Sequence, residues 1–243
     1  MTTRSSGRNF THSIVQELGV DIVTGVYSGK NPFPVEGELC RRFGASRTVL
    51  REAVKMLTAK GLLNARPRQG TWVQPESNWN LLDPDILRWM LERKYSSSLL
   101  VQFSEVRLAI EPQAAALASK SAGAEEKQAV RDAIERMRAA ERGEDDPLES
   151  DIAFHVAVLR ATRNPFYINL TELTATALRF SIRATNRYKG VRLANVTDHK
   201  KVADAIIAGR PMVASDAMRK MIQEVLDLIH EYELPGTSRA KRA

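Results

Sequence analysis

Residues 46–61, SRTVLREAVKMLTAKG, limit what this chain can fold into more tightly than any other stretch of it. On a helix, Leu50, Ala53, Val54 and Leu57 fall in one apolar stripe, while Arg47, Arg51 and Lys55 lie four apart on a neighbouring face. One side can be buried. The other is cationic from its first turn, which suits either a helix end seated in a DNA groove or an ordinary surface helix with solvated arginines. The flanking residues bear on that choice.

Upstream, HSIVQELGVDIVTGVY puts Ile14, Leu18, Ile22 and Val26 four apart, which predicts an amphipathic helix from Thr11 behind a polar, mobile tail over residues 1–10. The NPFP turn ends it, because two prolines cannot continue helical hydrogen bonding. Residues 35–43 predict a short second helix, Gly44 a break, and Ser46 a cap that accepts from a free amide of the third helix. Two helices, a tight turn and a capped basic helix make a helix-turn-helix. Beyond Gly61, LLNAR and TWV read as the strands of a hairpin across Pro67, Arg68, Gln69 and Gly70, the position of a wing. The hairpin could bring Arg66, Arg68, Gln69 and the backbone at Gly70 to a sugar-phosphate chain, or be a polar turn with incidental charge.

Charge follows the same division. Of the net +7, residues 1–75 carry +6, with 11 Lys and Arg against 5 Asp and Glu, so the basic excess belongs to the N-terminal third. That favours a polyanionic partner for this third, through counterion release, although an anionic membrane surface would also attract it. No stretch approaches the ~18 apolar residues of a membrane span, and MTTRSSGRNF lacks a signal peptide's apolar run, so a cytoplasmic location is expected. The single cysteine, Cys40, excludes an internal disulfide and a cysteine-rich zinc finger.

The reading is therefore mainly α: a winged helix-turn-helix over residues 11–75, of three helices plus a small β-hairpin, joined by a linker at 76–83 to an all-α helical-bundle effector domain at 84–234. Trp79 and Leu81 read as docking anchors of the linker. Helices are expected near 84–95, 97–121, 124–142, 146–162, 165–189, 196–209 and 211–233, separated by turn signals, with a disordered tail at 235–243.

Within the bundle, Asp151 and His155 stand four apart and His199 opens a later helix. An aspartate with two histidines suits zinc, nickel or manganese; the same spacing equally suits a buried histidine hydrogen-bonded to a carboxylate one turn away. Arg107 is a lone cation in an apolar helical segment, paired with Glu111 or Glu105 or aimed at an anionic ligand. Arg179, Arg183 and Arg187 share one helical face. There is no phosphate-cradling glycine loop, nucleophile elbow or zinc-protease signature, so nothing supports catalysis.

The stretch FPVEGELCRRFGASRTVLREAVKMLTAKGLLNARPRQGTWV resembles the winged helix-turn-helix of the GntR family of bacterial repressors, and EVRLAIEP, DIAFH and DHKKVADAI resemble its FadR-type (FCD) ligand-binding domain. SNWNLLDPDILRWMLE and ELCRRF resemble the family's sugar-acid regulators. The resemblance implies a homodimer binding a pseudo-palindromic DNA operator through Ser46, Arg47, Thr48, Arg51, Arg68, Gln69 and Gly70; the frequent arginine of the second helix falls on Gly37 and is missing. It implies a divalent metal on Asp151, His155 and His199, with the fourth ligand position falling on Met221, a poor ligand for a hard or borderline cation. It also implies that Arg107 holds a small carboxylate effector, an aldonate or uronate whose binding releases a repressor from DNA. Two alternatives stand beside this: a metal-dependent hydrolase or lyase using Asp151, His155 and His199, and a regulator responding to another carboxylate or acyl ligand.

Overall fold

The computed structural model describes residues 4–28, 31–66, 69–94, 96–185 and 195–233. The chain divides into two units, Met1–Lys94 and Tyr95–Ala243. Among the described residues no helix is long and apolar enough to cross a membrane.

The first unit runs α1 (Arg4–Val23), α2 (Glu36–Phe43), α3 (Arg47–Ala59), β1 (Leu63–Arg66), β2 (Gly70–Val73), a single 3-10 turn (Glu76–Asn78) and α4 (Pro84–Met90). Helix α1 buries Ile14, Leu18 and Ile22 as their spacing predicts, and Val15 and Val23 with them. It begins at Arg4, so residues 4–10, expected as tail, are helical. It ends at Val23, which leaves Val26 outside the apolar row and exposed. Gly44 closes α2 at φ 60°, where its amide reaches the Cys40 carbonyl, a conformation that costs glycine nothing. Ser46 then caps α3 by accepting from the Val49 amide at 3.4 Å, and α3 turns Leu50, Ala53 and Leu57 into the core. At Gly61 (φ 79°) a Cβ would lie 2.2 Å from the Asn78 carbonyl oxygen, so the chain can pass from α3 into the hairpin there only without a side chain. The strands are antiparallel, with Leu63 opposite Val73 and Arg66 opposite Gly70.

The sequence assigns residues 84–95 to the effector bundle; α4 instead stops at Met90 and packs within the first unit. The buried Trp89 lies across Gly19 of α1, where a Cβ would come within 2.5 Å of its ring, and its indole N–H donates to Gln16 Oε1 at 2.9 Å. Burying an indole of ~150–250 Å² at ~25 cal/mol per Å² contributes roughly 4–6 kcal/mol, which holds α4 here. Lys60, at the end of α3, pairs with Asp83 and Asp85 at 2.8 Å each. Of the two expected linker anchors, Trp79 is half-buried and donates to the Gln74 carbonyl at 3.0 Å, whereas Leu81 is exposed.

The second unit is helical throughout its described residues: α5 (Ser97–Ser121), α6 (Ala124–Glu141), α7 (Pro147–Ala161), α8 (Pro165–Ile168), α9 (Thr171–Thr185), α10 (Val196–Ile207) and α11 (Pro211–Glu233). The one helix expected over 165–189 is two: the Thr171 hydroxyl takes the Ile168 carbonyl at 2.8 Å, a side-chain bond that competes with the backbone ladder. Residues 186–189 of that expectation lie outside the described residues, as does the tail expected at 235–243. Ala114, Ala115 and Ala118 of α5, Phe154 and Val158 of α7, Val202 and Ile206 of α10, and Met218 and Ile222 of α11 share one core. Small alanines on α5 let the facing helices come close.

Candidate nucleic-acid face and metal-binding cluster

Because α3 buries its apolar stripe, its other face is available: Ser46, Arg47, Thr48, Arg51 and Lys55 are all exposed. Gln69 and Gly70 are exposed at the hairpin tip, while Arg68 lies outside the described residues. Helix and hairpin are neighbours, since Arg51, Val54 and Lys55 line a cleft of about 260 Å³ together with Ala65 and Thr71. Glu36, the first residue of α2, lines it too. Arg51 Nε donates to one Glu36 oxygen at 3.0 Å, and Arg47 Nε lies 3.8 Å from the other. The sequence reading does not single out Glu36; nothing in its spacing tells that α2 turns it toward α3.

In the second unit three helices bring five ionisable side chains together. Arg107 and Glu111 come from α5, Asp151 and His155 from α7, and His199 from α10. All five are buried. Phe154 stands edge-on to both imidazoles, at 5.5 Å from His155 and 5.0 Å from His199, and keeps the two rings nearly perpendicular to each other. Glu111 is the brace: one carboxylate oxygen accepts from Arg107 Nε at 2.6 Å and the other from His155 Nδ1. Burial alone would raise the Glu111 carboxyl, but Arg107 and His155 outweigh it and hold it at about 2. The carboxylate is therefore ionised and accepts only, so His155 carries its proton on Nδ1. Its Nε2 lone pair faces inward, 3.6 Å from Asp151 Oδ1 and 3.4 Å from Arg107 Nη2.

The same logic sets His199. Its Nδ1 lies 2.9 Å from the Asn195 carbonyl oxygen, which can only accept, so Nδ1 is the protonated nitrogen. Its Nε2 stands 2.9 Å from Asp151 Oδ1 without hydrogen-bond geometry; both atoms are buried and neither has a hydrogen-bond partner. Two buried polar atoms this close with no hydrogen bond are costly as they stand and are favourable around a cation. Burial would raise the Asp151 carboxyl, yet His199, His155 and Arg107 draw it below the ordinary range, keeping it in the form a metal binds. The donor atoms of Asp151, His155 and His199 lie within 4.8 Å of one another, and a carboxylate with two imidazoles suits zinc, nickel or manganese. The residues present fit a divalent metal. Met221 is partly buried against the adjoining core.

Of the two acids open to it, Arg107 takes Glu111. Its Nε is ion-paired with Glu111, while Nη2 borders the cluster at His155. Arg179 pairs with Glu149 at 3.3 Å; the side chains of Arg183 and Arg187 lie outside the described residues.

Comparisons with known proteins follow this division. Residues 10–73 match the model of the gntR family of bacterial regulatory proteins, and residues 102–224 match the FCD domain. The chain is 34% identical to the galactonate operon transcriptional repressor of Escherichia coli K12, covering 82% of this chain and 87% of that protein. It is 31% identical to the HTH-type transcriptional regulator YieP of the same strain, over 89% and 94%. It is 25% identical to the Glc operon transcriptional activator of E. coli K12, over 88% and 87%. Among solved structures, Lar, which controls expression of the Listeria monocytogenes agr system, aligns with a TM-score of 0.58 at 18% identity, over 92% of this chain and 97% of that one. E. coli McbR/YncC aligns with a TM-score of 0.50 at 16% identity, over 92% and 98%. At these identities the structural matches speak for the fold alone.

Proposed function

The chain belongs to the GntR family of bacterial regulatory proteins and carries an FCD domain, and from that premise we propose that it represses a sugar-acid catabolic operon and is released from DNA by an aldonate or uronate. Its relatives are transcriptional regulators, so a hydrolase or lyase built on Asp151, His155 and His199 is set aside. The galactonate operon named for one relative supports the effector class, and the repressor in that name supports the sign of control.

In this reading Ser46, Arg47, Thr48 and Arg51 meet the major groove of an operator half-site, and Gln69, Gly70 and Arg68 meet the backbone or minor groove beside it. The protein acts as a cytoplasmic homodimer whose two third helices span half-sites about one turn apart. Asp151, His155 and His199 hold a divalent cation, which supplies positive charge for an effector's carboxylate and hydroxyl oxygens. With methionine at position 221, the fourth family position adds no hard ligand, which leaves room in the coordination sphere for the effector or water. Arg107 supplies the second cation. The observation that carries the proposal is its guanidinium, braced through Nε by Glu111 and turned through Nη2 toward the cluster, where a carboxylate could meet both. Effector binding then favours a dimer geometry that no longer matches the operator.

A thermal-shift screen of aldonates and uronates, with added zinc, nickel or manganese and with EDTA, tests this directly. A ligand that binds the folded state raises the melting temperature. The proposal predicts a sugar acid whose shift is lost in EDTA and which releases the protein from its operator in a gel-shift titration. Shifts confined to fatty-acyl ligands, or turnover of the sugar acid, would overturn it.

A further inference from the structure

We propose that Glu36 is a specificity-determining positioning residue of the DNA-reading face: its one carboxylate hydrogen-bonds Arg51 Nε and stands beside Arg47 Nε as a shared counter-charge, presenting their terminal nitrogens to base edges rather than to phosphates. The proposal rests on the DNA-binding reading above and adds a residue to it.

The geometry is one acid between two cations. Arg51 Nε donates to Glu36 Oε2 at 3.0 Å, and Arg47 Nε stands 3.8 Å from Oε1. Both contacts use Nε, and among the described residues neither arginine is hydrogen-bonded or ion-paired through its terminal nitrogens, the edge that pairs bidentately with guanine. Glu36 is the first residue of α2, where a carboxylate complements the helix dipole. Position 37 is glycine and carries no side chain that could compete for it, with open space where a Cβ would be.

These pairs have little structural reason to exist. The Glu36 side chain is 37% exposed, Arg51 67% and Arg47 79%, and ion pairs in such surroundings contribute next to nothing to stability. What they do change is how the arginines meet DNA. Two unbraced guanidiniums on flexible stems would repel each other and seek whichever phosphate lay nearest, which carries no sequence information. A carboxylate between them offsets that repulsion and biases both Nε edges toward itself, so less order is lost when they reach a base edge. Facing a polyanion, it also penalises any pose in which the arginines only skim the backbone. Glu36 thus lowers non-specific affinity while sharpening base readout.

The test uses the full-length protein. A randomised duplex library is selected with wild type, Glu36→Gln, Glu36→Ala and Arg51→Lys, and dissociation constants are measured for the wild-type-selected duplex and a scrambled duplex over a range of salt. For both Glu36 variants the proposal predicts unchanged melting temperature, equal or tighter binding to the scrambled duplex, a salt slope steeper by about one as a freed arginine finds a phosphate, and a specific-to-scrambled ratio about tenfold lower. Arg51→Lys keeps the charge without the fork, and should lose the ratio at wild-type slope. A Glu36→Gln protein that keeps the wild-type ratio and slope overturns the proposal while leaving the DNA-binding reading intact. If wild type itself enriches no motif, the DNA-binding reading falls and takes this proposal with it.

Discussion

Replacing Glu111 by glutamine removes the one negative charge that lies between Arg107 and His155. Both sides of the Arg107–Glu111 pair are buried, with side-chain exposures of 7% and 1%, so the guanidinium left behind loses its paired carboxylate and keeps only the more distant Asp151 as counter-charge. Breaking such a pair from one side costs about 3–5 kcal/mol, against a total stability of about 5–15 kcal/mol for a domain. In a unit of this size each kcal/mol moves the midpoint by about 2–4 °C, so the melting temperature should fall by roughly 6–20 °C. Calorimetry of the metal-free protein reads this directly. The double replacement Arg107→Met, Glu111→Leu should recover much of the loss, because it removes both charges and keeps apolar volume. A drop of less than about 1 kcal/mol in Glu111→Gln would refute the brace.

The same carboxylate makes two further outcomes computable. Held at about 2 when folded, against 4.5 for an unperturbed glutamate, its contribution is fully present above pH 4.5 and is lost as pH falls from there toward 2. Wild type should therefore lose stability through that window more steeply than Glu111→Gln. Because Glu111 also fixes the His155 ring and its tautomer, the glutamine variant should bind zinc or nickel about 10–100-fold more weakly in a chelator competition. Unchanged affinity would mean that the ring is held by Phe154 packing alone.

Three other tests follow. Arg51→Ala should weaken operator binding strongly in a gel-shift titration at fixed salt, by about 1–3 kcal/mol for a lost bidentate base contact, with unchanged affinity removing that contact from α3. Arg107→Lys keeps a cation beside Glu111 but not the planar fork, so the protein should fold and bind DNA normally while losing its release by the sugar acid; a normal response would remove Arg107 from the effector site. Gly19→Ala places a methyl 2.5 Å from the Trp89 ring and should cost about 1–3 kcal/mol in denaturant unfolding, a neutral result meaning that α4 is not clamped on α1.

Periodicity and local chemistry in the sequence were enough for much that depends on near neighbours along the chain, though not for the start of α1 at Arg4 or the break that Thr171 makes after α8. The stripe of Leu50, Ala53 and Leu57, the Ser46 cap and the break at Gly44 are short-range physics, so α3 and the turn before it were legible, as was a hairpin of two short strands after Gly61. The i, i+4 pairs Asp151–His155 and Arg107–Glu111 were legible for the same reason. Tertiary structure alone decided what crosses long separations. Residues 84–90 have a helical pattern wherever they pack; their place in the first unit follows from the absence of a side chain at Gly19 and the charge on Lys60. Glu111 and His155 are 44 positions apart, and Glu36 and Arg51 are 15, beyond any helical repeat. Neither brace could be read until the helices carrying them were packed. The sequence shows which side chains can carry charge to DNA or to a ligand, and packing determines how each of them is held.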